Sequence, residues 1–250
     1  MRKIFLTAAV VLVAAAIVWA GDPWKSKSMD QWTEQDIQSI LLNSPWSKPN
    51  LQVQGAWRPS GMTQASGSTG VPGGSSDTSH VSDSANPATA GGLEKDDEAA
   101  AKQATYSVFW WSSRTIRAAS MRRAVLRGSM TEADAEKAVA VTPDEYMILV
   151  QGSNMQIFQH RGEEAFEKAA YIEIKRSKEK LFPSKVAFLK GSDGESVTGA
   201  IFYFPRKGAN GEPTITPDEK ELDFYLQMGD AKILTYFDPR KMVDSKGEDL

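Results

Sequence analysis

The chain has 250 residues, of which 29 are basic and 32 acidic, giving a net charge of -3, and it contains no cysteine. Such a balance offers no basic footprint for nucleic acid, and the missing thiols exclude disulfides, thiolate metal sites and a lipid-modified cysteine anchor. With 41% hydrophobic and 24% charged residues, the composition is that of a globular protein long enough for one domain with its own core.

Arg2 and Lys3 precede an apolar run from Ile4 to Val18 that closes on Val18-Trp19-Ala20 before polar Gly21-Asp22. A charged start, a short apolar stretch and small residues before the cut are the features of a secretory signal peptide, which predicts cleavage near Ala20/Gly21. The rival reading is an uncleaved anchor. As a helix, Ile4 to Ala20 reaches only about 25 Å against a hydrocarbon core of about 30 Å, so cleavage is favoured and membrane contact is expected only through an uncleaved form of this segment. Loss of residues 1–20 removes Arg2 and Lys3 and no acid, which takes the net charge from -3 to -5. The expected location is therefore periplasmic or extracellular.

Residues 21–58 form a short N-terminal segment that holds Trp24, Trp32, Trp46 and Trp57. Thr33 is a good N-cap, Glu34 and Asp36 fill a first turn, and Ile37, Ile40 and Leu41 recur at helical spacing until Pro45, which predicts a helix over 34–43. A strand is expected near Leu51 to Trp57. That apolar face and those indoles need a partner, so the segment is expected to pack on the rest of the protein.

From Pro59 to about Gln103 there is no aromatic residue, and Gly, Ser, Thr, Pro and Ala alternate up to the acidic run Glu94, Asp96, Asp97, Glu98. Little apolar surface exists there to offset ordering entropy, so 59–103 reads as a disordered Gly/Ser-rich insert. Long loops add little closure entropy, which lets the N-terminal segment dock across it.

The body, 104–250, opens with a buried strand at Tyr106 to Trp111. A helix follows over Arg114 to Arg127, with Ala118, Met121 and Val125 as its inward face and Gly128 as its stop. Thr131 caps a second helix running to about Val139, and Tyr146 to Val150 resumes as strand. After a helical stretch near Glu163 to Ala169, five strands are expected near 171–176, 185–190, 197–204, 221–228 and 231–237, joined by short turns that imply antiparallel neighbours. Leu222, Phe224, Leu226 and Met228 alternate with Asp223, Tyr225 and Gln227, the pattern of a half-buried strand, whereas Ala200 to Phe204 is apolar on both faces and should be central. The fold class expected is α+β, a largely antiparallel sheet with a few packed helices.

Pro23-Trp24, Trp32-Thr33-Glu34-Gln35-Asp36 and Asn43-Ser44-Pro45-Trp46 are followed by Trp111, Ser112, Arg114, Arg117 and Ala118, and later by Phe204, Pro205 and Arg206. In these segments the chain resembles an uncharacterised family of exported soil-bacterial proteins. The resemblance implies export and a common fold and carries no known activity. The 59–103 insert departs from that pattern.

Candidate chemistry is sparse. Of the two histidines, His80 falls in the insert and His160 near a strand-to-helix junction, and neither neighbourhood carries a nucleophile elbow. Glu163-Glu164, Asp218-Glu219 and Asp144-Glu145 are paired carboxylates of the kind exported glycosidases use, but spacing cannot select a pair. Thr142-Pro143-Asp144-Glu145 and Thr216-Pro217-Asp218-Glu219 repeat one tetrapeptide, better read as Thr capping a Pro-initiated turn. Arg114, Arg117, Arg122, Arg123 and Arg127 stand on one helix as a candidate surface for anionic headgroups or glycans. At about 100° per residue they spread around it, with Arg117 at the core edge and Arg123 and Arg127 sharing an exposed face near the acidic helix. Trp46 and Trp110 are candidates for stacking on a sugar, although Trp110 and Trp111 point to opposite sides of a strand. The binding candidates are thus Arg123, Arg127, Trp46 and Trp110, with no catalytic, metal or cofactor residue assigned and no cofactor expected. The reading favoured is a non-enzymatic exported module whose partner is an envelope component or another protein. The alternatives are a carboxylate-dependent hydrolase and a binder of glycans or anionic surfaces.

Overall fold

A computed structural model describes residues 21–53, 104–228 and 231–250. The expected signal peptide, Trp57, the insert 59–103, His80 and the turn at Gly229-Asp230 lie outside the described residues. The fold is α+β, with six helices and antiparallel sheets among the described residues.

Helix α1 spans Pro23–Ser26 and a 3-10 turn covers Met29–Gln31. Helix α2 occupies Glu34–Asn43 because Thr33 and Asp36 form a reciprocal cap. The Thr33 hydroxyl accepts from the Asp36 amide at 3.2 Å, while the Asp36 carboxylate accepts from the Thr33 amide at 2.9 Å. Ile37 and Ile40 on its inner face are fully buried. Strand β1 runs Ser47–Gln52, earlier than the expected Leu51 to Trp57. It is an edge strand, which tolerates Pro49, and its register slips between Lys48 and Leu51, where Asn50 takes a φ of 56°.

Strand β2 (Thr105–Trp110) leads into helix α3 (Arg114–Leu126), which ends at Gly128 with a φ of 72°. Its buried residues are Thr115, Ile116, Ala118 and Ala119. The expected inward face held only at Ala118, since Met121 and Val125 are half-buried: the buried residues fall in the first two turns of α3, and in its second half Arg122 and Arg123 reach Trp32 and Glu34 of the N-terminal segment. Helix α4 (Glu132–Ala140) is capped by Thr131, whose hydroxyl accepts from the Asp134 amide at 3.2 Å. Strand β3 (Glu145–Gly152), helix α5 (Gln156–Gln159) and helix α6 (Glu163–Ala169) follow.

The remaining strands are β4 (Ala170–Ile174), β5 (Lys180–Leu181), β6 (Lys185–Lys190), β7 (Val197–Pro205), β8 (Leu222–Met228) and β9 (Ala231–Phe237). A 3-10 turn at Pro239–Lys241 precedes the small hairpin of β10 (Val243–Asp244) and β11 (Gly247–Glu248). Where one principal sheet was expected there are two, ordered β1-β2-β3-β7-β6 and β5-β4-β8-β9, with every pairing antiparallel. Strand β7 is buried on both faces as its composition implied, but β3 holds the centre and β7 sits beside it.

Alternation sends Val108 and Trp110, Ile148 and Val150, and Phe202 and Phe204 to one side of the larger sheet, where they meet Leu222, Phe224 and Phe237 of the smaller. The Phe202 and Phe224 rings are 5.5 Å apart at their centroids, and Trp110 and Phe237 are 5.2 Å apart. Trp24, Trp32, Ile37, Ile40 and Trp46 join the same buried cluster. The first elements of the chain therefore share the core of the body.

Candidate functional site

The point where β2 gives way to α3 gathers the buried polar residues Ser112, Ser113, Thr115 and Asp249. After Trp110, the amides of Trp111 and Ser112 both donate to the Met147 main-chain oxygen, and Ser113 caps α3 by accepting from the Ile116 amide at 3.2 Å. The N-terminus of α3 then faces Asp249, which is 4% exposed. One Asp249 carboxylate oxygen accepts from the Arg114 amide at 2.6 Å, and the other from the Thr115 amide at 2.9 Å and the Ser113 hydroxyl at 2.7 Å. The partial positive charge of the helix end and three donors make this a stable place for a buried carboxylate. The Trp46 indole N–H donates to the Asp249 main-chain oxygen at 2.6 Å, which ties β11 to the N-terminal segment.

Three guanidinium groups surround this carboxylate. Arg114 is bidentate on Asp244, at 2.9 and 2.8 Å, and that hydrogen-bonded pairing raises its affinity for its proton. Arg117 is half-buried and donates from one terminal nitrogen to the main-chain oxygens of Ala138 at 3.1 Å and Val141 at 2.7 Å, while its Nε is buried with no acceptor. Burial lowers the proton affinity of Arg117. Asp249 opposes the fall, and the nearby charges of Arg114 and Arg206 add to it. Arg206 donates to the main-chain oxygens of Pro143 at 3.0 Å and Leu250 at 2.6 Å, and its guanidinium lies 4.3 Å over the Tyr146 ring. Neither Arg117 nor Arg206 has an Asp or Glu side chain as an ion-pair partner among the described residues.

These groups line a cleft of about 780 Å³ that also takes in Ser112, Asp249 and Leu250. Ser112 is 2% exposed, and its hydroxyl has no hydrogen-bond partner among the described residues. At the mouth stand the exposed side chains of Asp30, Glu136, Lys246 and Glu248.

The four binding candidates named from the sequence fall elsewhere. Trp46 and Trp110 are fully buried, so neither offers a face to a sugar; Trp46 meets Trp24 edge-on at 5.7 Å, and Trp110 packs on Tyr146 and Phe237. Alternation had separated Trp110 from Trp111 correctly, and Trp110 proved to be the core member. Arg123 pairs with Glu34 of α2 at 3.3 Å, and Arg127 is exposed at the C-cap of α3. Neither of these two but Arg122 pairs with an acid of the following helix, at 2.6 Å from Glu132, and Arg117 meets its last turn through the Ala138 main-chain oxygen. Arg117, placed at the core edge by its spacing, lines the cleft.

Four of the paired carboxylates are engaged in structural contacts. Glu163 accepts from the Phe188 amide at 3.0 Å, Glu145 from the Ser184 hydroxyl, and Asp218 and Glu219 both bind Arg176. None of them lines the cleft. Of the repeated tetrapeptides, the one at Thr216 does close a turn, with the Glu219 amide on the Thr216 main-chain oxygen at 3.1 Å, whereas the one at Thr142 runs straight into β3. His160 is exposed at the C-cap of α5. Among the described residues no group of three or more His, Cys, Asp or Glu side chains is placed to hold a metal ion, and no helix is long and apolar enough to cross a membrane.

Sequence reasoning passed over Ser112, Arg206 and Asp249 as site residues. A signal existed for the first two, since Ser112, Arg114, Arg117 and Arg206 all belong to the short segments quoted for the family resemblance, and they converge on one cleft. No protein-family model, no curated protein and no solved structure matches the chain.

Proposed function

We propose that the protein is an exported, non-enzymatic binding module whose arginine-floored cleft takes the anionic group of a small ligand. One observation carries this reading. Arg117 and Arg206 line one concavity, and among the described residues their guanidiniums meet main-chain oxygens and no Asp or Glu side chain, which gives the cleft planar donors that suit an acceptor-rich anion. Export rests on the Arg2-Lys3 start, the apolar run and the Ala20/Gly21 junction.

The same chemistry argues against hydrolysis. Among the described residues the Ser112 hydroxyl has no base within hydrogen-bond reach, and both Asp249 oxygens are engaged by helix donors, so Ser112 is not an activated nucleophile and Asp249 is not its base. Calorimetric titration of the chain from Gly21 onward with phosphate, acetate and citrate tests the proposal. At least one of these anions should bind saturably, and Arg117→Gln should weaken that binding by roughly tenfold or more with an unchanged circular-dichroism spectrum. Flat titrations with all three, or affinity indifferent to both Arg117→Gln and Arg206→Gln, would overturn it. Turnover of a glycan, ester or peptide substrate that a single carboxylate change abolishes would overturn the non-enzymatic part.

A further inference from the structure

The charges of the cleft are sorted by depth. At its base Arg114 is paired with Asp244, the Asp249 carboxylate is held by the end of α3 and its charge favours the charged form of Arg117, and the guanidiniums of Arg117 and Arg206 are bonded to main-chain oxygens. At the mouth the order is reversed. Asp30, Glu136 and Glu248 are exposed there with only Lys246 to balance them, and no ion pair engages any of the three among the described residues. A purely anionic ligand would pass this acidic rim at a cost, and a purely cationic one would meet two guanidiniums at the bottom.

We infer that the cleft binds a short peptide with free termini, its carboxylate on Arg117 and Arg206 and its ammonium among Asp30, Glu136 and Glu248. A planar guanidinium suits a terminal carboxylate, and a carboxylate cluster in contact with water suits an ammonium that keeps part of its hydration. The volume of about 780 Å³ lies in the upper part of the range for small-ligand sites and exceeds what a single amino acid fills. This inference rests on the reading of the cleft as an anion site and adds the class of molecule that brings the anion.

The test uses the chain from Gly21 onward and three probes: the dipeptide Ala-Ala, its N-acetylated form and its C-terminal amide. The free dipeptide should bind, the amide should lose binding, and the acetylated form should bind roughly tenfold more weakly. Glu136→Gln combined with Glu248→Gln, two exposed positions whose change leaves the core alone, should close the gap between the free and acetylated forms. Arg117→Gln should abolish binding and Arg117→Lys should restore part of it. Equal affinity for the free and acetylated dipeptides, both sensitive to Arg117→Gln, would overturn the peptide inference and leave the anion site standing. Absence of binding by all three probes would also overturn it, and the anion reading would fall with it only if phosphate, acetate and citrate gave flat titrations as well.

Discussion

The Tyr106 side chain is 4% exposed, its hydroxyl donates to the Asn154 main-chain oxygen at 2.6 Å, and burial pushes its pKa up to about 12. The ring also closes off Gly152, where an added Cβ would sit 2.5 Å from it. In the unfolded chain a tyrosine ionises near pH 10. Above that pH the unfolded state gains a phenolate that the fold refuses, so the stability this group contributes is complete below about pH 10 and is lost as the pH rises toward about 12. Tyr146, Tyr203 and Tyr225 are shifted the same way by desolvation and add to the slope. Tyr106→Phe should therefore flatten the alkaline decline in part, while costing about 1 kcal/mol at neutral pH for the lost hydrogen bond. Denaturant titrations at a series of alkaline pH values, with phenolate absorbance as a second probe, check both; an unchanged pH dependence would refute the assignment.

At the scale of elements, the helix ends differ in how much they rest on distant residues. Helix α2 is capped by its own Thr33 and Asp36 at an exposed site, so Thr33→Ala should cost about 1 kcal/mol. Helix α3 has its local Ser113 cap, yet its first amides depend on Asp249, more than a hundred positions away in the chain. Asp249→Ala strands two amides and a hydroxyl in a buried place beside Arg117, and it should cost roughly 3 kcal/mol or more. Chemical denaturation of the two variants compares them directly. Equal losses would mean that Asp249 is no more than an ordinary cap.

Over the whole molecule, β1 and β2 pair with Gln52 opposite Thr105, so the two ends of the segment between them leave the sheet side by side. A chain lacking residues 60–100 keeps enough backbone to close that hairpin and should melt within a few degrees of the full one, because loop-closure entropy changes slowly with length. A chain beginning at residue 104 should aggregate or melt early. It lacks Trp24, Trp32, Ile37, Ile40 and Trp46, all buried in the common core, and burial of each such side chain is worth about 1.5 to 3 kcal/mol. That total is comparable with the whole stability of an ordinary domain. Undiminished stability of the shorter chain would show that the N-terminal elements are dispensable.

What could be read in the chain alone was what depends on neighbours within a few positions. The caps at Thr33 and Thr131, the stop at Gly128, the span 34–43 and the buried positions Leu222, Phe224 and Leu226 each follow from local hydrogen bonding or side-chain periodicity and stand in the structure, although Asp223, expected on the open face of that strand, is buried as well. Alternation also separated Trp110 from Trp111, but it is symmetric and cannot say which side faces the core. That choice waits on strand pairing, and pairing waits on which apolar faces meet. For the same reason two sheets could not be told from one until Phe202 met Phe224 and Trp110 met Phe237. The cleft lies furthest from local control, since Ser112 and Arg117, Arg206, and Asp249 come from three separated stretches of chain. Only the packing of the two sheets and α3 brings their charges together, and neither charge count nor spacing carries that information.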